Sequence, residues 1–314
     1  MTKVLVTGCA GFIGSTLVDS LLKQGYEVTG IDCFTDNYDI RIKQKNMKPS
    51  SHHKRFNWIQ GNLLSIDVKD LIETHPYVFH QAALPGVRKS WGEDFHAYVE
   101  HNIRATQKLL EAVKNSNMNK LVYASSSSVY GTMNGPTSEE KLPAPYSPYG
   151  VTKLSAEHLC QLYQQNYGVP VISLRYFTVY GPRQRPDMAI HQFIKNILAG
   201  QPITIYGQGE QTRDFTYIRD AVEANIQAMD NGISGEAYNI GGGTKISVHD
   251  LIKIIETITC KKAKINYLPK QPGDAEHTWA DITKARNDLQ FSPSYSLEKG
   301  IYHQMLQIKD LYGL

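Results

Sequence analysis

The chain has 314 residues, 41% of them hydrophobic and 20% charged, with a formal net charge of +3 at pH 7. That length and apolar share describe one large globular domain or two intimate ones, and they exclude a disordered chain. Basic residues are scattered apart from His52-His53-Lys54-Arg55 and Lys261-Lys262, so nothing supports nucleic-acid binding. Met1-Thr2-Lys3 leads straight into an apolar run without a charged leader or a long apolar span, so a cytoplasmic protein with no membrane contact is expected. Cys9, Cys33, Cys160 and Cys260 lie far apart without metal-type pairing and read as reduced thiols, with no metal site.

Short β-branched runs alternate with amphipathic stretches through the first half. This predicts an α/β fold, a Rossmann-type doubly wound parallel sheet. Val4-Leu5-Val6 reads as a strand, Phe12 to Gln24 as a helix closed by Gly25, and Glu27 to Ile31 as a strand ending at Asp32. Further strands are predicted at Phe56–Gln60, Tyr77–His80, Leu121–Ser125 and Val171–Leu174, with long helices at Asp94–Lys114 and Tyr149–Tyr167. Pro148 stands just before Tyr149, where a helix start tolerates a missing N–H. After Tyr180-Gly181-Pro182 the elements shorten between glycine turns, which predicts a second, smaller C-terminal α/β lobe. The expected division is 1–178 for the Rossmann domain, with a return around 213–240, and 179–314 for the second lobe.

Gly8-Cys9-Ala10-Gly11-Phe12-Ile13-Gly14 follows a strand and opens a helix, the context that makes a glycine pattern a pyrophosphate site. Glycines permit positive φ and close backbone approach, and the helix N-terminus offers unpaired N–H groups to an anion. Asp32 at the end of the second strand can accept hydrogen bonds from an adenosine ribose and repel a 2′-phosphate, which favours NAD over NADP. Arg41 and Lys43 could soften that preference if their loop folds back, but a solvated loop is the expectation for both.

Tyr149-Gly150-Val151-Thr152-Lys153 places a phenol and an ammonium one helical turn apart on one face. Alone, the pattern also fits a surface helix pair. Beside a nicotinamide, Lys153 beneath Tyr149 would favour the phenolate and move the phenol toward a useful general base. Ser125-Ser126-Ser127-Ser128-Val129-Tyr130-Gly131 ends another strand, and a hydroxyl cluster there lies where open α/β sheets bind ligands.

In this order, the glycine loop, Asp32, the serine cluster and Tyr149/Lys153 resemble the extended short-chain dehydrogenase/reductases, specifically the nucleotide-sugar 4-epimerases. The resemblance runs along essentially the whole chain, through His80-Gln81-Ala82-Ala83, Asn102, Leu174-Arg175-Tyr176-Phe177, Arg213-Asp214-Phe215 and Tyr238-Asn239-Ile240-Gly241. It implies catalysis by Tyr149 as base, Lys153 as its partner on the nicotinamide ribose, and Ser126 as the bridging hydroxyl. It implies NAD held by Gly8, Gly11, Phe12, Ile13, Gly14, Asp32, Asn62, Leu63 and Ala82 as well as Tyr149 and Lys153. Ser127, Ser128, Thr178, Arg213 as diphosphate clamp and Asp274 as ribose contact would face a UDP-sugar.

Dehydratases of this family carry an Asp-Glu pair after the bridging hydroxyl, and the glucuronate decarboxylases a Glu close by. Here those positions are Ser127 and Ser128, which disfavours elimination and leaves epimerisation at C4 through a 4-keto sugar. Two departures stand out: Asn62 replaces the usual Asp after the third strand, and Thr178 replaces the usual Asn in the segment Thr178-Val179-Tyr180-Gly181-Pro182. With Arg185-Pro186-Asp187-Met188-Ala189 following, this form resembles the UDP-glucuronate 4-epimerases, and an Arg185 guanidinium beside Thr178, Ser127 and Ser128 suits a C6 carboxylate. The expected reaction is UDP-glucuronate to UDP-galacturonate. UDP-glucose or UDP-N-acetylglucosamine epimerisation comes next, ahead of decarboxylation, dehydration or a non-catalytic NAD sensor. The resemblance also implies a homodimer joined through the Asp94–Lys114 and Tyr149–Tyr167 helices.

Overall fold

The computed structural model describes residues 1–314. Its centre is a wholly parallel sheet of β1 (Lys3–Thr7), β2 (Glu27–Asp32), β3 (Phe56–Gln60), β4 (Tyr77–His80), β5 (Lys120–Ser126), β6 (Val171–Tyr176) and an edge strand, Ala237–Ile240. Across the sheet the order is Ala237–Ile240, β6, β5, β4, β1, β2, β3. The chain runs outward from β1 to β3, then returns to β4 beside β1 and runs the other way. That reversal opens a crevice at the strands' carboxyl ends, the place where such sheets bind ligands.

A parallel sheet must be covered on both faces, and the alternation of its strands assigns each side chain to one of them. Leu5, Val78, Leu121 and Tyr123 pack against Leu109, Ala156 and Cys160. Val4, Val6, Phe79 and Val122 pack against Leu17, Leu21 and Ile226 on the other face. That second cluster holds 53 buried residues and continues through Ile194, Ile255 and Ile308 of the C-terminal helices, so one core runs through both parts of the chain. The C-terminal lobe consists chiefly of the helices Ala189–Leu198, Val248–Thr259 and Leu297–Tyr312 around the parallel strands Ile203–Tyr206 and Ile265–Leu268.

The helix carrying Tyr149 spans Pro148–Tyr167. Ser147 caps it by accepting the Gly150 N–H at 3.1 Å, Pro148 occupies the first turn, and Gly168 ends it at φ +69°. The stretch expected as one helix from Asp94 to Lys114 is helical throughout but contains a π-segment, Val99–Arg104, between the α-turn Phe95–Tyr98 and the α-helix Ala105–Val113. The reason is Asn102. Its buried amide accepts from the Leu84 N–H at 2.7 Å and donates to the Leu84 carbonyl and the Thr152 hydroxyl, both at 3.0 Å. The widened turn presents Asn102 to both neighbours, a common use of π-segments near ligand sites. No helix is long and apolar enough to cross a membrane.

Candidate active site

A cleft of about 420 Å³ follows the carboxyl ends of the central strands, and nearly all the expected site residues line it: Gly8, Gly11, Phe12, Ile13, Gly14, Asp32, Asn62, Leu63, Ala82, Ser126, Ser127, Ser128, Tyr149, Lys153, Thr178 and Arg185. Arg213 and Asp274 lie apart from it in a second pocket, which shares Ser127, Ser128 and Thr178 with the first. The cleft therefore leads past the serine cluster into a polar recess formed with the C-terminal lobe.

At one end the glycine loop is as tight as its sequence demands. Gly8 has φ +73°, and a Cβ there would meet the Ala82 backbone nitrogen at 2.7 Å, while one at Gly14 would meet the Gly8 carbonyl oxygen at 2.1 Å. Gly11 caps the Phe12–Lys23 helix without a side-chain hydrogen bond, so the first-turn N–H groups of Phe12 and Ile13 are left for an outside anion. The Asp32 carboxylate accepts from Ala10 N–H at 3.0 Å and Phe34 N–H at 2.8 Å. These bonds fix it at the cleft edge with lone pairs to spare for vicinal hydroxyls. Asn62 commits its amide oxygen to the Leu64 N–H at 2.9 Å, which leaves its NH₂ group for a base edge. This end suits a ribose and diphosphate.

Lys43 is not the solvated loop residue that its sequence suggested. Its ammonium is buried and donates to the Thr35 carbonyl at 2.6 Å, the Thr35 hydroxyl at 2.9 Å and Asn37 Oδ1 at 3.0 Å, because the loop after Asp32 folds back over it. Arg41 remains exposed, forked onto Asp39.

At the other end stands Tyr149, its backbone N–H bonded to Ser90 Oγ at 3.0 Å and its ring edge-on to Tyr98. Desolvation pushes the phenol's pKa up, opposed by a hydrogen bond with the Ser126 hydroxyl and by the charge of Arg185. The sequence suggested a value lowered by Lys153 together with a bound nicotinamide ring, and the protein's own groups act otherwise. Burial outweighs the cation here, and the cation that acts is Arg185. Lys153 itself is buried with its ammonium 4.8 Å from the Tyr123 ring centre, and desolvation pulls its pKa down to about 8 against the raising influence of Cys160 and Glu157. His80, bonded to Thr7 and Thr106, is held neutral by burial, its pKa near 3, and is a structural group.

Beneath the serine cluster lies a buried charge network absent from the sequence reading. Glu157, one turn beyond Lys153, accepts the Ser125 hydroxyl at 2.5 Å and pairs with Arg175 Nη2 at 2.5 Å. Arg175 reaches Tyr130 Oη at 2.7 Å, and Tyr130 donates to Asn239 Oδ1 at 2.7 Å. A carboxylate at i+4 from Lys153 on the inward helix face was the available signal. The same network ties β5, β6 and the edge strand together directly below Ser126.

Arg185 enters the cleft forked onto Asp187, Nε to Oδ1 and Nη2 to Oδ2 both at 2.9 Å. Its charge is felt at Tyr149, Tyr98 and Tyr38. In the second pocket Arg213 donates to the carbonyls of Thr212 and Glu276. Asp274 accepts from Arg88 Nη2 at 2.7 Å, and the Arg88 guanidinium lies 4.1 Å from the Tyr206 ring centre. Arg88, unmarked in sequence, thus bridges the loop after β4 to the C-terminal lobe. No three His, Cys, Asp or Glu side chains are grouped to hold a metal ion.

Comparison with known proteins agrees with this geometry. A model of the NAD dependent epimerase/dehydratase family matches residues 4–241. The chain is similar to an uncharacterized UDP-glucose epimerase of Bacillus subtilis, at 47% identity over 99% of both chains. It is similar to UDP-glucuronate 4-epimerase of Thermodesulfobacterium geofontis, at 42% identity over 96% of this chain and 94% of that one. The crystal structure of UDP-glucuronic acid 4-epimerase from Bacillus cereus, in complex with UDP-glucuronic acid and NAD, superposes with a TM-score of 0.97 at 49% identity, covering 99% of this chain and 100% of that one. With most of its length matched by the family model and near-complete alignment to these relatives, the chain belongs to the NAD dependent epimerase/dehydratase family.

Proposed function

We propose that the protein interconverts C4 epimers of a UDP-sugar, UDP-glucuronate and UDP-galacturonate, with NAD retained between half-reactions. The observation that carries this is the composition of the cleft. Tyr149, Arg185 and the hydroxyls of Ser127, Ser128 and Thr178 meet at one end, while the only carboxylate in its lining is Asp32 at the other. A site so built can remove and return a proton at a hydroxyl, yet holds no carboxylic acid at that end to expel one.

In this reading Tyr149 takes the proton of the sugar 4-hydroxyl, with Ser126 bridging phenol and sugar. Bound NAD accepts the C4 hydride and later returns it. Arg185 balances the phenolate and a C6 carboxylate, and Lys153 adds its buried positive charge from the same helix. The 4-keto sugar turns while its nucleotide stays anchored near Arg213 and Asp274, so the hydride would return to the opposite face of C4 as Tyr149 gives its proton back to the 4-oxygen. A carboxylate held by Arg185 and several hydroxyls is kept from aligning its C–C bond with the ketone, which suppresses decarboxylation. The fork of Arg185 onto Asp187 favours a second reading, in which a neutral UDP-glucose is also turned over.

The proposed division assigns 1–178, with 213–240, to NAD and the remainder of 179–314 to the nucleotide sugar. A cytoplasmic homodimer is also proposed, supported by the exposed Phe95, Val151, Leu162 and Tyr167 on the two helical stretches expected to pair. Light scattering reads that assembly. The reaction is tested by NMR of a UDP-sugar panel without added NAD. The expected result is UDP-galacturonate from UDP-glucuronate at unchanged product mass, and stoichiometric carbon dioxide with a UDP-pentose would overturn it.

A further inference from the structure

The connection between β2 and the Ile40–Met47 helix lines the cleft through Cys33, Thr35, Asn37 and Tyr38. Lys43 anchors it. The ammonium that gathers Thr35 and Asn37 also lies 4.8 Å from the Tyr38 ring centre, so loop and ring are held by one buried cation. The Tyr38 hydroxyl, by contrast, is buried with no hydrogen-bond partner. Such an orphan is costly and uncommon, and in a cleft wall it points to an acceptor that arrives with a ligand.

Its place along the cleft identifies that acceptor. Burial raises the Tyr38 pKa, opposed by the charge of Arg185 and reinforced by those of Asp32 and Asp187. The hydroxyl is therefore within range of Asp32 at the ribose end and of Arg185 at the sugar end. Between an adenosine ribose on Asp32 and a nicotinamide at Tyr149, a dinucleotide has its diphosphate, and the glycine loop lines the same stretch. We infer that the Tyr38 hydroxyl donates a hydrogen bond to the diphosphate of the bound dinucleotide, which makes Tyr38 a cofactor-retaining residue supplied by the loop rather than by the helix N-terminus. This inference rests on the reading of the cleft as an NAD site.

The test is Tyr38→Phe in the full-chain holoenzyme, which keeps the ring on Lys43 and removes only the hydroxyl. Release of bound NAD, followed with an isotopically labelled NAD chase, is expected to speed up about ten- to a hundredfold, the weight of one hydrogen bond to a charged group. ADP-ribose should lose affinity by a similar factor in displacement of labelled NAD, while adenosine, which lacks the diphosphate, should bind both proteins alike. Melting of the variant within a degree or two of wild type confirms that the fold is kept. Unchanged NAD release would overturn the inference, as would an equal loss for adenosine or a change confined to the KM of the UDP-sugar. A wild-type protein that holds no NAD would instead remove the function on which the inference rests.

Discussion

Arg185 holds Asp187 through two parallel bonds of 2.9 Å, so the Nε/Nη2 edge of its guanidinium is engaged and Nη1 is left over. A residue restrained this way presents a positioned donor, with little rotamer freedom left to lose on binding. Arg185→Ala is therefore expected to lower kcat/KM for UDP-glucuronate by about one to two decades, with a much smaller loss for UDP-glucose. Specificity constants for both sugars in wild type and variant measure this, and equal proportional losses would assign Arg185 to the shared diphosphate instead.

Tyr149→Phe should lower turnover by about 10²–10⁴-fold while the fold and bound NAD persist, because only the titrating oxygen is lost. NAD content after denaturation, set beside turnover, separates this from misfolding. Burial's upward push on the phenol's pKa also implies that kcat/KM climbs with pH on the alkaline side of neutrality. Disappearance of that limb in slow residual turnover by the variant would tie it to Tyr149.

Lys153 carries a stability cost that can be read directly. Its folded pKa of about 8 lies below the ordinary 10.5, so the unfolded chain binds the extra proton between those values. The penalty is fully present below pH 8 and is relieved as pH rises toward 10.5. Lys153→Met should therefore be inactive, yet match or exceed wild-type stability at pH 7. Its advantage should shrink by up to about 3 kcal/mol by pH 10. Denaturant titrations of both proteins at several pH values check this, and a constant difference would refute it.

Glu157→Gln should cost about 3–5 kcal/mol in unfolding free energy, because it strands the Arg175 charge in a site where the two side chains are 1% and 5% exposed. Urea denaturation gives the value. A loss under 1 kcal/mol would mean that Arg175 finds adequate partners in Tyr130 and the Glu139 carbonyl.

The glycine loop, the parallel sheet and the carrier helix of Tyr149 were legible because each is written in consecutive residues: a strand, three glycines and a helix start, or a proline beside a cap. The cleft therefore gathers residues that the sequence could name. What stayed hidden depends on chain segments meeting from afar. Asn102 widens its helix for partners at Leu84 and Thr152, and Lys43 is buried because a loop returns over it. Arg88 meets Asp274 from the other lobe. The desolvation of Tyr149 was hidden for the same reason, since burial is a property of the assembled pocket and not of a spacing.

The apolar cluster that runs unbroken from Val4 to Ile308 bears on how the molecule comes apart. A boundary near residue 178 is topological, since the cleft and recess beside Thr178 leave this cluster uninterrupted, so neither part keeps a complete interior once the other is gone. Denaturant then meets a single cooperative unit, and a fragment ending at 178 exposes one whole face of its sheet. Opening about a hinge near residue 178 would have to part this cluster. A sugar that turns within the site has to do so inside a cage whose walls move only by loops and side chains.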